Sequence, residues 1–295
     1  MQYQITDHDR LASAPDSGPY RVLEDGKVYV DYGPVSMVIM ADKEGRPLTD
    51  LCCQAFAVIE EGLKELTSSL DLLRLYPGQI PLRILTGLPA QMLEAVLAVE
   101  EPTLTPMATV AGAMADLVAD WLFARGAQRV SVNNGGDVAL RLAPGQKLNL
   151  GIMSSLAAGQ VDLVVPIKAE DGIGGVATSG LGGRSFTRGI AQGVSVFSSR
   201  CILADALATH LANTTYVPSP RVLTTKAGVF DPQSDIRDLD VVVAVDRLTR
   251  REVRQALAQA EQEALRQKHK GNLLAMTARV QDQMIRINMP GSQTE

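Results

Sequence analysis

Thr178-Ser179-Gly180-Leu181-Gly182-Gly183-Arg184-Ser185-Phe186-Thr187-Arg188-Gly189 is a turn rich in glycine and hydroxyl groups. Behind it come an apolar, strand-like run, Gly193-Val194-Ser195-Val196-Phe197-Ser198-Ser199, and a helical pattern containing Ala204-Asp205-Ala206-Leu207-Ala208-Thr209. Glycine lets backbone N–H groups come close to a ligand, and successive N–H groups in a turn form concavities that hold anions. Asp205 and Thr209 are one helical turn apart and share a face. A carboxylate and a hydroxyl so placed are oxygen donors of the kind magnesium takes. The stretch therefore reads either as a phosphate-and-magnesium site or as a plain loop leading into an amphipathic helix.

Upstream, Arg129-Val130-Ser131-Val132 leads into Asn133-Asn134-Gly135-Gly136-Asp137 and then Val138-Ala139-Leu140-Arg141-Leu142. Taken alone this is a hairpin with an Asn-Gly turn. The doubled Asn and Gly also allow a glycine turn whose backbone and Asp137 meet a ligand. Before it, Pro106 to Arg125 reads as a helix that is small and apolar nearly all round, hence buried, with Thr105 as N-cap and Gly126 as C-terminal cap. Gly112 within it marks a close backbone approach. Other helices are expected from Thr49 to Leu75, started by Asp50 and ended by Pro77-Gly78, from Pro89 to Val99, and from Thr249 to His269 with Val253, Leu257, Ala260 and Leu265 inward. Strands are expected at 28–32, 35–40, 81–85, 148–152, 161–167, 221–224 and 241–245, with one or two more between 272 and 288. Residues 1–20 read as a lead-in and 290–295 as a frayed tail. Strands and helices interleave irregularly, which predicts one α+β domain with a mostly antiparallel sheet.

The 295 residues are 46% hydrophobic, enough for a sizeable core, but only 4% aromatic, so Ala, Val and Leu must fill it. The net charge of -5 and the lack of a basic tract argue against nucleic-acid binding. Cys52, Cys53 and Cys201 are odd in number and lack zinc-ligand spacing, which points to free thiols in a reducing compartment. The N-terminus has no signal-peptide pattern and no uninterrupted apolar run reaches membrane-span length. The expectation is a soluble cytoplasmic protein with a small-molecule or nucleotide ligand. The exposed helix 249–269 is a surface suited to a homo-oligomer.

Three segments together resemble the ApbE superfamily, whose namesakes are magnesium-dependent FAD:protein FMN transferases, and in particular its shorter ApbE-like branch. Val132-Asn133-Asn134-Gly135-Gly136-Asp137 is similar to the family's Asn-x-Gly-Gly-Asp turn. Ala177-Thr178-Ser179-Gly180 is similar to its Ala-Thr-Ser-Gly turn, and Ala204 to Thr209 to its Ala-Asp-Ala-x-Ala-Thr helix start. The resemblance implies magnesium on Asp205 and Thr209. It implies an FAD or FMN pocket lined by Asn134, Gly135, Gly136 and Asp137, faced by Thr178, Ser179 and Gly180. Two family features differ: its Lys-Gly is Ala111-Gly112 here, and its His-x-x-Asp-Pro-x-Thr-Gly segment is matched only in part by Phe230-Asp231-Pro232-Gln233-Ser234-Asp235, which lies after the Asp205 helix. Arg184 or Arg188 beside the glycine turn would then supply the phosphate-gripping cation.

Three functions follow. One is an ApbE-like enzyme acting on a flavin or related nucleotide, with Asp205 and Asp231 catalytic. Another is the same fold turned to hydrolysis or transfer on a small metabolite, with Asp231, Asp235 or Asp137 as general base. The last is a non-catalytic flavin-binding protein. The default reading of the 227–235 loop is a set of Asx and Ser turns.

Overall fold

Val28 and Val30, then Val35, Met37 and Ile39, fall at every second position and are at most 2% exposed. Such alternation turns one face of a sheet to a core. The protein is represented by a computed structural model that describes residues 19–81, 83–155, 159–183 and 185–291. Its strands are β1 (Tyr20–Val22), β2 (Val28–Tyr32), β3 (Val35–Lys43), β4 (Arg46–Pro47), β5 (Arg129–Asn134), β6 (Asp137–Leu142), β7 (Lys147–Ile152), β8 (Leu163–Lys168), β9 (Gly175–Ser179), β10 (Gly193–Ser198), β11 (Val222–Lys226), β12 (Asp240–Val245), β13 (Ala275–Val280) and β14 (Gln283–Ile287). The main sheet has ten strands, in the order β1-β2-β3-β5-β6-β9-β10-β13-β14 with β4 on β3. The hairpins β7–β8 and β11–β12 stand apart from it. Every pairing among the described residues is antiparallel, so the fold is α+β with an antiparallel sheet.

Helices α1 (Thr49–Gln54), α2 (Phe56–Ser68), α3 (Leu70–Leu73), α4 (Gly87–Val99), α5 (Val110–Ala124), α6 (Cys201–Thr214) and α7 (Arg250–His269) complete the chain. Helices α1, α2, α4 and α5 pack on one half of the sheet through Val130, Val132 and Ala139. Helices α6 and α7 pack on the other half through Ala177, Val194, Val196, Met276 and Ala278. The opposite face, with Val138, Leu140, Val176 and Phe197, is covered by Leu150, Ile152, Val165 and Ile167 of β7–β8. With few aromatics, the core is closed by small residues that let helices and strands sit near one another.

Several elements differ from the sequence reading. The helix expected over 49–75 is broken at Ala55 and Ser69 into α1, α2 and α3. Near the second break, the hydroxyls of Thr67 and Ser68 donate to the carbonyls of Leu63 and Glu65 and compete with the helical ladder. Leu48, not Asp50, flanks the start. Around Pro81 to Leu85 the described residues form a turn, not a strand: Arg83 has φ 64 and the Ile84 N–H bonds to Pro81 O. Leu82 lies outside the described residues. The helix expected from Pro106 begins as a 3-10 turn, Pro106–Thr109, before α5. Thr105 makes no side-chain cap there; its hydroxyl goes to Asp235.

In α7, Val253, Leu257 and Ala260 are buried as expected, but Leu265 is 43% exposed because the inward stripe passes through Ala264 and Gln267 instead. Gly126, with φ 92, does end α5. By length and composition Pro106–Ala124 is apolar enough to cross a membrane; here it is the central core helix, with Asp116 ion-paired inside it. Cys52 and Cys201 are buried and Cys53 half-buried, all three as free thiols. Of the expected lead-in 1–20, residues 1–18 lie outside the described residues and Tyr20 already belongs to β1; of the expected tail 290–295, residues 292–295 lie outside them.

Candidate functional site: two carboxylates between two crossing helices

Gly112 is where α5 and α6 come closest. A Cβ at this position would lie 2.6 Å from Cys201 O and 2.9 Å from the Asp205 Cβ. The missing side chain brings α6 near enough for Asp205 Oδ2 to accept the Gly112 N–H at 2.9 Å. Gly112 lies in the first turn of α5, where N–H groups lead out of the helix and favour a carboxylate. The reverse contact also exists: Asp116 of α5 accepts the Ile202 N–H, in the first turn of α6, at 2.9 Å. Each helix thus caps the other with an aspartate.

The two aspartates differ in their company. Asp116, 1% exposed, is ion-paired with Arg141 at 2.8 Å and Arg200 at 3.4 Å, and both arginines also bind Asp120. Asp205 has no ion-pair partner among the described residues; it is hydrogen-bonded to Asp137. The β5–β6 hairpin puts Asp137 there. Asn134 pairs with Asp137 across a Gly135-Gly136 turn with φ 67 and 118, and Asp137 shares the helix-facing side of β6 with Ala139 and Arg141. From the third element, β9, the Thr178 N–H donates to Asp137 Oδ1 at 3.3 Å. Burial is the largest influence on both acids and disfavours their charge. Asp137 is pushed up to about 7, with the Thr178 N–H pulling back only in part. Asp205 rises well above the ordinary carboxylate range, by burial first and then by the charge of Asp137. Two acids hydrogen-bonded to one another in a poorly hydrated place cannot both ionise without a proton or a cation between them.

The three segments singled out in the sequence therefore converge, but several residues play parts other than those expected. Asn134 does not line an open pocket: it is 6% exposed, donates to Ala111 O at 3.2 Å and accepts from the Ser36 N–H, fastening α5 to the sheet. The turn amides of Gly135 and Gly136 bond to Ser36 O and Asn133 Oδ1, so the hairpin reading describes this turn well. Thr178 reaches the site through its backbone; its hydroxyl bonds Ser195 Oγ at 2.8 Å on the face away from the helices. Ser179 and Gly180 follow at the end of β9. The backbones of Ala191 and Gln192 lie within 3 Å of where a Cβ of Gly180 would stand. Beyond it, Gly180–Gly183, Phe186 and Thr187 wall a cavity of about 360 Å³ against Val242–Val245 of β12.

Thr209 lies one turn beyond Asp205 and is half-buried. Asp231 is not brought to the pair. It is exposed and accepts the Gln233 N–H at 2.9 Å, the expected Asx turn, while Ser234 Oγ accepts the Ile236 N–H. Asp235 instead anchors Thr105. Arg188 turns away to Thr103 Oγ1, 3.0 Å distant, and Arg184 lies outside the described residues. The arginine pairing of Asp116 was not foreseen; the two acids Asp116 and Asp120, one turn apart in an otherwise apolar helix, were its trace in the sequence.

No cluster of three or more His, Cys, Asp or Glu side chains that would hold a metal occurs among the described residues. The donors at hand are two carboxylates and a nearby hydroxyl, which fit magnesium, an ion that takes one or two carboxylates and keeps several waters.

The chain has relatives among known proteins. The UPF0280 protein MK0206 of Methanopyrus kandleri is 33% identical over 174 residues, covering 57% of this chain and 68% of the relative. A UPF0280 protein of Methanothermobacter thermautotrophicus is 38% identical over 115 residues, 38% of this chain and 43% of the relative. Among solved structures, the apo form of Pseudomonas stutzeri flavinyl transferase ApbE aligns over 85% of this chain and 90% of its own, with TM-score 0.40 and 14% identity. The flavin transferase ApbE of Vibrio cholerae aligns over 63% and 85%, with TM-score 0.36 and 15% identity. The family model described as "AbpE bacteria" matches residues 20–286, and the chain belongs to that family.

Proposed function

We propose that this chain is an ApbE-like enzyme that binds FAD or a related nucleotide together with magnesium at the Asp137–Asp205 pair and transfers or hydrolyses its phosphoryl-linked part. The observation that carries the reading is the pair itself: two acids, hydrogen-bonded to one another and with no ion-pair partner among the described residues, where α6, β6 and β9 meet. The family and the flavin transferases among its structural neighbours support a flavin ligand.

When bound, magnesium would neutralise pyrophosphate charge and polarise the phosphorus towards attack. The chain's own groups supply the rest. Asp137 and Asp205 would hold the ion, with the Thr209 hydroxyl, one helical turn from Asp205, as a further oxygen donor. The Gly112 and Thr178 amides orient the two carboxylates by hydrogen bonds at 2.9 and 3.3 Å. The 360 Å³ cavity beyond Gly180 has room for part of the nucleotide, with Phe186 and β12 valines as an apolar wall.

A second reading has one observation in its favour. Asp137 titrating at about 7 is suited to general-base work at neutral pH, so the same pair would serve hydrolysis of a small metabolite without flavin. Asp231, exposed in its own turn, has no part in either reading.

Calorimetric titration of the chain with FAD, FMN and ATP, with and without magnesium, tests the proposal. Magnesium-dependent FAD binding that disappears in Asp205→Ala is expected. Absence of binding to all three nucleotides with magnesium present would overturn it.

A further inference from the structure

Seven basic residues and three acids stand between Arg247 and Lys270, so this stretch carries +4 in a chain of net charge -5. The two ends of α7 hold that charge differently. At the C-terminal end Arg266 pairs with Glu263 and Glu100, and Lys270 with Glu100, where the helix dipole also favours cations. At the other end Arg247, Arg250, Arg251 and Arg254 are exposed, and among the described residues none of the four has an ion-pair or hydrogen-bond partner.

The helix works against these arginines. The dipole at an N-terminus is positive. Arg250 and Arg254 are one turn apart and Arg251 and Arg254 three residues apart, so three guanidiniums share one flank and repel one another. The other positions three or four residues beyond them, where an acid would compensate, are Val253, Gln255, Leu257 and Ala258. Glu252 is engaged by the Thr249 cap and by Arg221. Their base is nevertheless fixed. Val253, Ala256 and Leu257 are buried beneath them. Gln281 braces the approach to α7, donating to Asp246 O at 3.0 Å and accepting the Leu248 N–H at 3.2 Å. The arginines do not line the cavity beyond Gly180; they stand on the outside of a helix, a surface that meets another macromolecule and does not enclose a small one.

We propose that the arginine flank opening α7 is a docking surface for an acidic segment of a partner protein. A guanidinium takes a carboxylate through two parallel bonds. Alternate carboxylates of an extended segment stand about 6.6 Å apart, close to the rise of about 6 Å from Arg250 to Arg254. A nucleic acid or an anionic membrane fits less well. Each is an extended field of negative charge that would also face the rest of the chain, which carries -9 once this stretch is set apart. The stretch also lacks any aromatic side chain for stacking on bases. A second copy pairing α7 with α7 would set one basic flank on another. The proposal does not rest on the flavin reading and uses none of the groups at Asp137 and Asp205.

Fluorescence anisotropy of a labelled octaglutamate peptide, titrated with the full chain in EDTA, tests it. EDTA keeps magnesium from carrying the peptide to the aspartate pair. Binding is expected at about 50 mM NaCl and should weaken tenfold or more at about 300 mM, as screening shortens the reach of exposed charges. Arg250→Gln with Arg254→Gln should weaken it about tenfold or more, each exposed pair contributing a few-fold. The same two positions changed to Lys should retain part of it, and Arg46→Gln, an exposed arginine on β4, should change nothing. The double Gln variant should melt no lower than the parent, because it loses only repulsion. No peptide binding, binding that survives the double Gln variant, or a variant that melts below the parent would overturn the proposal. So would tighter binding, at the same salt, of duplex DNA or of vesicles containing phosphatidylserine. Self-association of the parent that the double variant abolishes, read by sedimentation, would put a second copy on this flank and overturn it as well.

Discussion

Replacing Asp137 by Asn removes one of two acids that the fold forces together, and its effect follows from the titration of the pair. Each pKa unit corresponds to 1.36 kcal/mol. Raising Asp137 from the ordinary 3.8 to about 7 therefore corresponds to at most about 4 kcal/mol against the folded, ionised form, an amount that belongs to the half-buried pair and is shared with Asp205. Between pH 4 and pH 7 the unfolded chain has lost this proton while the folded chain keeps it, so the contribution of Asp137 to stability falls as pH rises through that window and changes no further above it. The variant lacks the effect, and its amide oxygen still accepts the Thr178 N–H. In EDTA, Asp137→Asn should match the parent near pH 4 and exceed it by up to about 4 kcal/mol at pH 8. For a chain of this length that is a rise in Tm of about 8 °C, at ~2 °C per kcal/mol. Differential scanning calorimetry across pH 4 to 8 reads it directly. Added magnesium should stabilise the parent and narrow the gap. A variant no more stable than the parent at pH 8 in EDTA would refute the reasoning, because the pair would then already be neutralised by something within the chain.

Three further outcomes can be checked by urea denaturation or melting curves. Gly112→Ala places a methyl 2.6 Å from Cys201 O and should cost about 1–3 kcal/mol, because backbone carbonyls of packed helices yield little. Asp116→Ala strips Arg141 and Arg200 of their shared partner and leaves the Ile202 N–H unmet; a loss of about 3–5 kcal/mol is expected, and a loss under 1 would show the network to be ornamental. Thr249→Ala removes the α7 cap, in which Thr249 and Glu252 bond reciprocally, and should cost about 1 kcal/mol.

The sequence announced the antiparallel α+β fold through period-two alternation in β2 and β3 and through the Asn-Gly hairpin, because such patterns are local. It also announced the close approach at Gly112, since glycine among alanines has few other uses. It did not announce the break at Ser69 or the left-handed Arg83, where local hydrogen bonding and tertiary packing overrode a good helical or strand pattern. At the site, motifs gave the participants but not their roles. Asn134 was expected at a ligand because the resemblance to the family's Asn-x-Gly-Gly-Asp turn implies it, yet its partners, Ser36 and Ala111, are 98 and 23 residues away in sequence. That Asp137 touches Asp205 depends on three elements meeting, and no spacing along the chain encodes it. Arg188 read as a phosphate grip by proximity to the glycine turn; its actual direction is set by Thr103, which only the fold brings near.

The reciprocal aspartate caps tie the chemistry of the site to the mechanics of the scaffold. Asp205 Oδ2 is at once a candidate ion ligand and the acceptor for the opening turn of α5, and a carboxylate oxygen has lone pairs for both, so an ion that fixes Asp205 also fixes the acceptor of the Gly112 amide. Occupancy would then be felt as slower amide hydrogen exchange at Gly112, while Ile202, whose acceptor Asp116 is locked by two arginines, is unchanged. One helix start becomes a reporter of the site and the other an internal reference for it.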